Sequence, residues 1–254
     1  MDFEQVLFEN DCVQINIVSN HPFTELLKGR IHAEAFFRKL HVELMNQSVL
    51  DKSRNCIDLG AWIGDNTIPW AKQIQGIVYA IDPSPRNCEF IRLNTIANEL
   101  SNVQILQTAI SEKEEILTTN DPIEHASFVY NNIGQGGSLK VKSCSLDSMY
   151  RSGVLTNVGY IHLDVEGMEF PILRGATTLL QDCRPVITFE QHLDLDDIKG
   201  ITHFLKQRLY KVYLIQESFP HCRPDCRNFI AFPKEGRQPN FSVYYANMLV
   251  EQSE

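Results

Sequence analysis

The sequence has no apolar run approaching the about 18 residues that a membrane-spanning helix requires, so no membrane span is expected. Its N-terminus, MDFEQVLFENDCVQ, carries acids where a secretory signal carries lysine or arginine ahead of an apolar run. The expectation is a soluble, cytoplasmic chain. Basic residues are few, 23 against 32 acids, for a formal net charge of -9. That balance counts against a nucleic-acid partner, whose phosphates call for clustered lysine and arginine. A disulfide framework is also missing. The 7 cysteines are an odd number in a chain too long to need staples. Cys12, Cys56, Cys88, Cys144 and Cys183 are scattered and read as reduced thiols, while Cys222 and Cys226 form a lone CxxxC without the second pair of a four-ligand zinc site. Neither the GxGxxG of dinucleotide binders nor the GxxxxGK[ST] of phosphate-binding loops occurs, which counts against a nicotinamide oxidoreductase.

What is present is ordinary globular composition, 43% apolar and 22% charged. At about 150 residues per domain, 254 residues suggest one large domain or one domain with an extension. The first part, 1–54, reads as a small cap of a strand, where Val13, Ile15 and Ile17 alternate with polar residues, and a helix over Ile31–Met45 with a three-to-five apolar spacing. From 55 to 254 strands and helices alternate. Short apolar runs predict core strands at Cys56–Leu59, Ile77–Ile81, Val103–Leu106, Tyr160–Val165 and Val186–Phe189, with final strands at Tyr210–Ile215 and Asn228–Phe232. Helices are predicted over Thr67–Ile74, Ser84–Leu100, Pro171–Leu180 and Asp196–Arg208, the second with Ser84 as N-cap and Pro85 in the first turn. The stretch Lys113–Val141 is irregular, with short strands expected at Phe128–Tyr130 and Leu139–Val141 around the glycine-rich Asn131–Gly137. This order is that of an α/β fold: a doubly wound, mostly parallel sheet covered on both faces.

In such a sheet ligands bind beyond the C-terminal strand ends, so the residues that follow each strand are the informative ones. After the first comes Asp58-Leu59-Gly60-Ala61-Trp62-Ile63-Gly64-Asp65-Asn66-Thr67, a DxGxxxG loop. Its glycines allow close backbone approach and the next helix offers its first amides. No lysine follows Gly64, and Asp58 suits an ammonium group better than a pyrophosphate. After the second strand, Asp82-Pro83-Ser84 places an acid where ribose hydroxyls are held. After the third, Thr108 and Ala109 are positioned to lie along an adenine. An amino-acid site, then a ribose acid, then an adenine wall point to S-adenosylmethionine, with Asp58, Gly60, Ala61, Gly64, Asn66, Thr67, Asp82, Pro83, Ser84, Thr108, Ala109 and Asp164 as its contacts. After the fourth strand stands Asp164-Val165-Glu166-Gly167-Met168-Glu169, and after the fifth Glu190-Gln191-His192. Period-two alternation puts His162, Asp164 and Glu166 on one face. Two carboxylate-bearing strand ends with a histidine are what proton removal from an alcohol uses, which makes Asp164, Glu166, Glu190 and His192 the catalytic candidates.

These blocks, Ile57–Thr67, Asp82–Asn87, Leu146-Asp147-Ser148, Leu163–Glu169 with Leu173-Arg174-Gly175-Ala176, Pro185–Glu190 and the late Asp225–Pro233, resemble the FkbM-type methyltransferases. The resemblance runs from about Asn55 to Pro233. It implies a class I, Rossmann-like S-adenosylmethionine-dependent fold with seven strands, the last antiparallel. It also implies O-methyl transfer to a small-molecule or glycan acceptor, a sugar hydroxyl first and a polyketide or peptide-like natural product second. Asp58, Gly60 and Gly64 match the family's cofactor loop, Asp82 its ribose acid, and Asp164 and Glu166 its motif after the fourth strand. His162, where many members carry lysine, and Trp62, where the loop usually has a smaller residue, depart from the pattern.

Blander roles stand beside these. Asp82 also reads as a helix cap, Glu166 as a turn residue, and His162, mid-strand, as a core histidine. A divalent metal on Asp164, Glu190 and His192 is not favoured, because ligands from two strand ends do not by themselves give fixed coordination geometry. The alternative to an enzyme is a binding module that kept the fold without the chemistry.

Overall fold

Every residue of Asn55–Leu59 (β3) is buried, as a strand covered on both faces must be. The computed structural model describes residues 5–9, 14–18, 34–119, 139–193, 197–217 and 224–252. Chain order begins with the hairpin β1 (Gln5–Glu9) and β2 (Gln14–Val18) and the helix α1 (Ala35–Asn46). Then follow β3, α2 (Thr67–Gln73), β4 (Val78–Ile81), α3 (Pro85–Ala97), β5 (Val103–Leu106), β6 (Ala109–Ile110), β7 (Glu115–Thr119), β8 (Leu139–Cys144) and α4 (Leu146–Arg151). The chain continues through β9 (Val158–Leu163), α5 (Glu169–Arg174), α6 (Thr177–Cys183), β10 (Val186–His192), α7 (Ile198–Gln207), β11 (Tyr210–Ile215), β12 (Cys226–Pro233), α8 (Val243–Met248) and β13 (Leu249–Glu251).

The main sheet has the order β13-β11-β12-β10-β9-β3-β4-β5. Its five strands from β10 to β5 are parallel, and β12 runs antiparallel between β10 and β11. This is the expected α/β fold with its antiparallel last strand, corrected in one respect: β13 pairs with β11 as an eighth strand. Strands progress outward from β3 through β4 to β5 on one side and from β9 to β10 on the other. The order therefore reverses between β3 and β9, the switch point outside whose strand ends sheets of this kind bind their ligands. A second sheet, β6-β8-β7, occupies part of the stretch read as irregular, with the unforeseen strand Glu115–Thr119. The strand expected at Phe128–Tyr130 lies outside the described residues.

Alternation along the strands assigns each face. Ile57, Leu59, Ile161, Leu163, Ile187 and Phe189 point into one core with helices α4 to α7. Cys56, Tyr160, Val186, Ile230 and Phe232 point to the other, where α1 buries Phe36, Phe37, Leu40 and Leu44 with Trp70. The α1 face turns polar toward the C-terminal strand ends. There Asp58 pairs with His162, His162 with Thr188, and Glu190 with Asn228 across the ladders.

Two boundaries differ from expectation for local reasons. The helix foreseen over Pro171–Leu180 is two helices. A Cβ at Gly175 would meet the Ser111 and Glu112 carbonyl oxygens at 2.7 and 2.8 Å, so the backbone there is pressed on its neighbour. Asp147 then restarts the helix by accepting from the amides of Thr178 (3.0 Å) and Leu179 (2.9 Å). And β10 runs on through His192, because β12 pairs with it to the end, so Glu190 and His192 are strand residues, not residues past a strand end. Among the described residues no helix is long and apolar enough to cross a membrane.

Candidate active site at the switch point

The loop after β3 and the loop after β9 are pressed together. The Asp164 amide donates to the Leu59 carbonyl (3.0 Å), and a Cβ on Gly60 would lie 1.8 Å from the Asp164 carbonyl oxygen. Gly60 also has φ 79°, so only glycine serves here. The loop then turns again at Trp62 (φ 46°) and Gly64 (φ 88°). It is held from α3 by Asn94, whose Nδ2 donates to the Ile63 carbonyl (2.6 Å). Ala61 is buried against Ala80 and Ile91.

Asp58 sits beneath this loop, buried, accepting from the Thr67 hydroxyl. Burial pushes its carboxyl up to about 7 against that bond. Asp82, also buried, accepts at Oδ1 from the Ser84 amide (2.8 Å), at Oδ2 from the Trp62 amide (3.0 Å), and at both from Asn87 Nδ2 (3.1 and 3.2 Å). Those four bonds use the acceptor sites of a carboxylate, so Asp82 braces the loop against α3, and a ribose can be held only if one of these donors moves aside. Burial raises its carboxyl to about 6. Ser84 caps α3 as expected, accepting from the Asn87 amide (3.3 Å), with the half-buried Pro83 before it. Asn66, ahead of α2, has a buried Oδ1 without a hydrogen-bond partner. Thr108 and Ala109 follow β5: the Thr108 hydroxyl donates to the Ala109 carbonyl (3.2 Å), and Ala109 starts β6 with its side chain in the core.

The Asp164–Glu169 loop departs from strand alternation. β9 ends at Leu163. Glu166 takes φ 54° and Gly167 φ 96°, so the exposed Glu166 is not on a face with Asp164 and His162. The loop is instead held from inside by Glu169, a residue with no role foreseen. Its buried carboxylate accepts from the amides of Val165 (3.1 Å) and Gly167 (3.1 Å). Removing a charged acceptor of two amides costs about 2 kcal/mol. Glu169→Ala is therefore expected to lower the urea midpoint and unsettle Asp164, and a midpoint equal to wild type would refute the bracing role. The flanking acid pattern DVEGxE was the available signal.

Asp164 is held well above the usual carboxylate range by burial, then by the charges of Glu190, Glu166 and Glu34. Glu34 comes from the N-terminal end of α1, where sequence reading found no chemistry. It accepts from Asn228 Nδ2 (2.8 Å) and lies 3.6 Å from Arg38, which in turn donates to the Asp65 carbonyl (3.1 Å). The helix end is placed by Glu217, just past β11, whose carboxylate accepts from the Phe36 and Phe37 amides (2.8 and 3.0 Å). His192 Nε2 is 3.9 Å from Glu190 Oε1.

His162 is the core histidine of the blander reading. Its Nδ1 is 2.9 Å from the Thr188 hydroxyl and its ring packs on Phe37 and Trp70. Burial brings its pKa down to about 3. His41, wedged between Phe37, Trp70 and Tyr160, is lowered to about 3 by the same cause.

The switch point thus joins a glycine loop, the buried carboxylates of Asp58 and Asp82, the half-buried Asp164, and the orphaned Asn66 oxygen. Acids desolvated in this way suit a ligand that bears positive charge. Residues 58–212 match the family model described as the methyltransferase FkbM domain. Over 150 residues the chain is 26% identical to hexuronic acid methyltransferase AglP of Haloferax volcanii, an alignment spanning 59% of this chain and 60% of that protein. Methyltransferase FkbM from Methylobacillus flagellatus KT shares the fold, with a TM-score of 0.51 and 17% identity over 70% of this chain and 44% of its own. The family match runs through more than half of the chain and takes in the glycine loop, the Asp82 turn and the Asp164 loop that frame the crevice: the chain belongs to the methyltransferase FkbM domain family.

Proposed function

We propose that the chain is an S-adenosylmethionine-dependent O-methyltransferase that acts on a sugar hydroxyl. The observation that carries this reading is the meeting, at the switch point, of a glycine loop lined by desolvated acids with a second set of acids, Asp164, Glu190 and Glu34, from the far side. The first set suits a cation, the second a hydroxyl that must lose its proton. The cofactor, when bound, supplies an electrophilic methyl group on a sulfonium. Asp58 and the Asn66 oxygen would accept from its ammonium, and the Gly60 backbone would permit its close approach. Asp164 accepts the acceptor's proton, its affinity for it raised by burial and by Glu190. Glu190 and His192 orient the acceptor. Much of the rate enhancement comes from holding the two reactants in line.

AglP's name, which specifies a hexuronic acid, supports a sugar acceptor. The charge of the wall refines that. The charges of Glu190, Glu166 and Glu34 act on Asp164, and a uronate carboxylate placed beside it would be repelled, so the acceptor is a neutral polyhydroxylated sugar. With labelled cofactor, a neutral glycoside is expected to be methylated at least about tenfold faster than its uronide, a difference of about 1.4 kcal/mol. Equal rates would remove the charge argument. Asp164→Asn is expected to slow single-turnover methyl transfer by about 100-fold or more at saturating cofactor. The underlying test is calorimetric titration with S-adenosylmethionine and with its demethylated product. A folded, monodisperse sample that binds neither contradicts the proposal.

A further inference from the structure

On the α1 face, where β10 and β12 pair, four donor side chains form a two-by-two array. His192 stands directly opposite Cys226, and Glu190 directly opposite Asn228. Residues two apart on a strand and residues opposite each other on a ladder share a face, so all four project the same way. One ligand atom each from Glu190, His192 and Cys226 lie within 4.8 Å of one another. The Glu190–His192 separation of 3.9 Å is close to the about 3.4 Å edge of a tetrahedron with bonds of about 2.1 Å. Asn228 is fully buried. Its amide nitrogen is committed to Glu34, and its Oδ1 has no hydrogen-bond partner, a costly arrangement for a buried acceptor.

We propose that Glu190, His192, Cys226 and Asn228 form a binding site for one divalent ion of the zinc class. The donor set selects that class. A thiolate and an imidazole disfavour magnesium and calcium, which take oxygen ligands, and suit zinc or cobalt in a four-coordinate site. The carboxylate and thiolate together balance the two positive charges. Binding replaces the Cys226 S–H bond with a sulfur–metal bond and releases that proton to solvent. Glu190 and His192 keep side-chain exposures of 15% and 14%, which leaves an entry path from the crevice, while Cys226 and Asn228 close the buried side. The lone CxxxC offered no zinc site along the sequence. The partners of Cys226 come instead from the neighbouring strand.

The test is independent of methyl transfer. The full chain, stripped with a chelator, is titrated with Co²⁺ and then with Zn²⁺. One equivalent of cobalt is expected, with tetrahedral visible bands and a near-ultraviolet thiolate-to-cobalt charge-transfer band, all displaced by one equivalent of zinc. Cys226→Ser should lose the charge-transfer band. His192→Ala, at a strand end outside the hydrophobic core where folding is expected to be retained, should weaken binding by more than about tenfold. The site is refuted by absence of saturable cobalt binding to folded wild-type chain, by a charge-transfer band that survives in Cys226→Ser, or by unchanged affinity in a folded His192→Ala.

Discussion

Gly60→Ala is expected to destabilise the protein by about 3 kcal/mol or more and to abolish cofactor binding, whereas Gly64→Ala is expected to cost only about 1 to 2 kcal/mol. Both glycines have left-handed backbone, φ 79° and 88°, where a side chain costs about 1 to 2 kcal/mol by sterics alone. They differ in what a new methyl group meets. At Gly64 the nearest atom is the Ile68 side chain at 3.5 Å, ordinary contact. At Gly60 it is the Asp164 carbonyl oxygen at 1.8 Å, backbone held by the Asp164 amide bond to Leu59 and by Glu169 beneath the loop. The methyl group can be accommodated only by parting the two loops that frame the crevice, which adds strain of a few kcal/mol. Urea unfolding of the two variants beside wild type, with calorimetric titration of S-adenosylmethionine, measures both effects. Equal midpoints for the two variants would show that the loops are not locked together at Gly60.

The second expected result is a stability that declines from pH 5 to pH 8. Asp58 has a folded pKa of about 7 and Asp82 of about 6, each raised by burial from an ordinary value of 3.8. The folded state therefore holds protons that the unfolded chain has released. The stabilisation is full below about pH 4 and is lost as pH rises through the folded values. For Asp58 the rise from 3.8 to about 7 corresponds to about 4 kcal/mol at most between those two values. Asp164 acts in the same direction. Asp58→Asn keeps an oxygen to accept from the Thr67 hydroxyl but has nothing to titrate, so its stability should vary less with pH and exceed wild type at pH 8. A cationic ligand inverts the sign for binding. It favours the ionised acids, so cofactor association should release protons and tighten by about tenfold or more between pH 5.5 and 8. Denaturation midpoints and calorimetric titrations over this range check both halves. Affinity that weakens as pH rises would mean that the buried acids do not face the cation.

The strand order of the sheet explains which parts of the site were legible along the chain. The glycine loop, the Asp82 turn and the Asp164 loop each follow a short apolar strand, and strand ends are visible wherever an apolar run stops. Glycines at forced backbone positions and a Ser84-Pro85 helix start are equally local. Such features act over a few residues, so residue order alone determines them, and with them the α/β class. Other features depend on neighbours far away in sequence. Glu34 reaches the site because Glu217, after β11, caps α1. Glu166 leaves the strand face because the loop turns over Glu169. Gly175 breaks a helix because Ser111 and Glu112 lie against it. Cys226 and Asn228 stand opposite His192 and Glu190 because β12 enters the sheet beside β10 instead of following β11 at the edge. Those pairings arise from long-range packing and ladder register, in which one inserted strand decides which side chains share a face. Residue order was enough for the α/β class and for the loops that follow each strand, because those depend on local pattern. Which acids brace the loops, as Asp82 and Glu169 do, and which side chains of distant strands stand side by side follow only from the ladder register and the long-range packing.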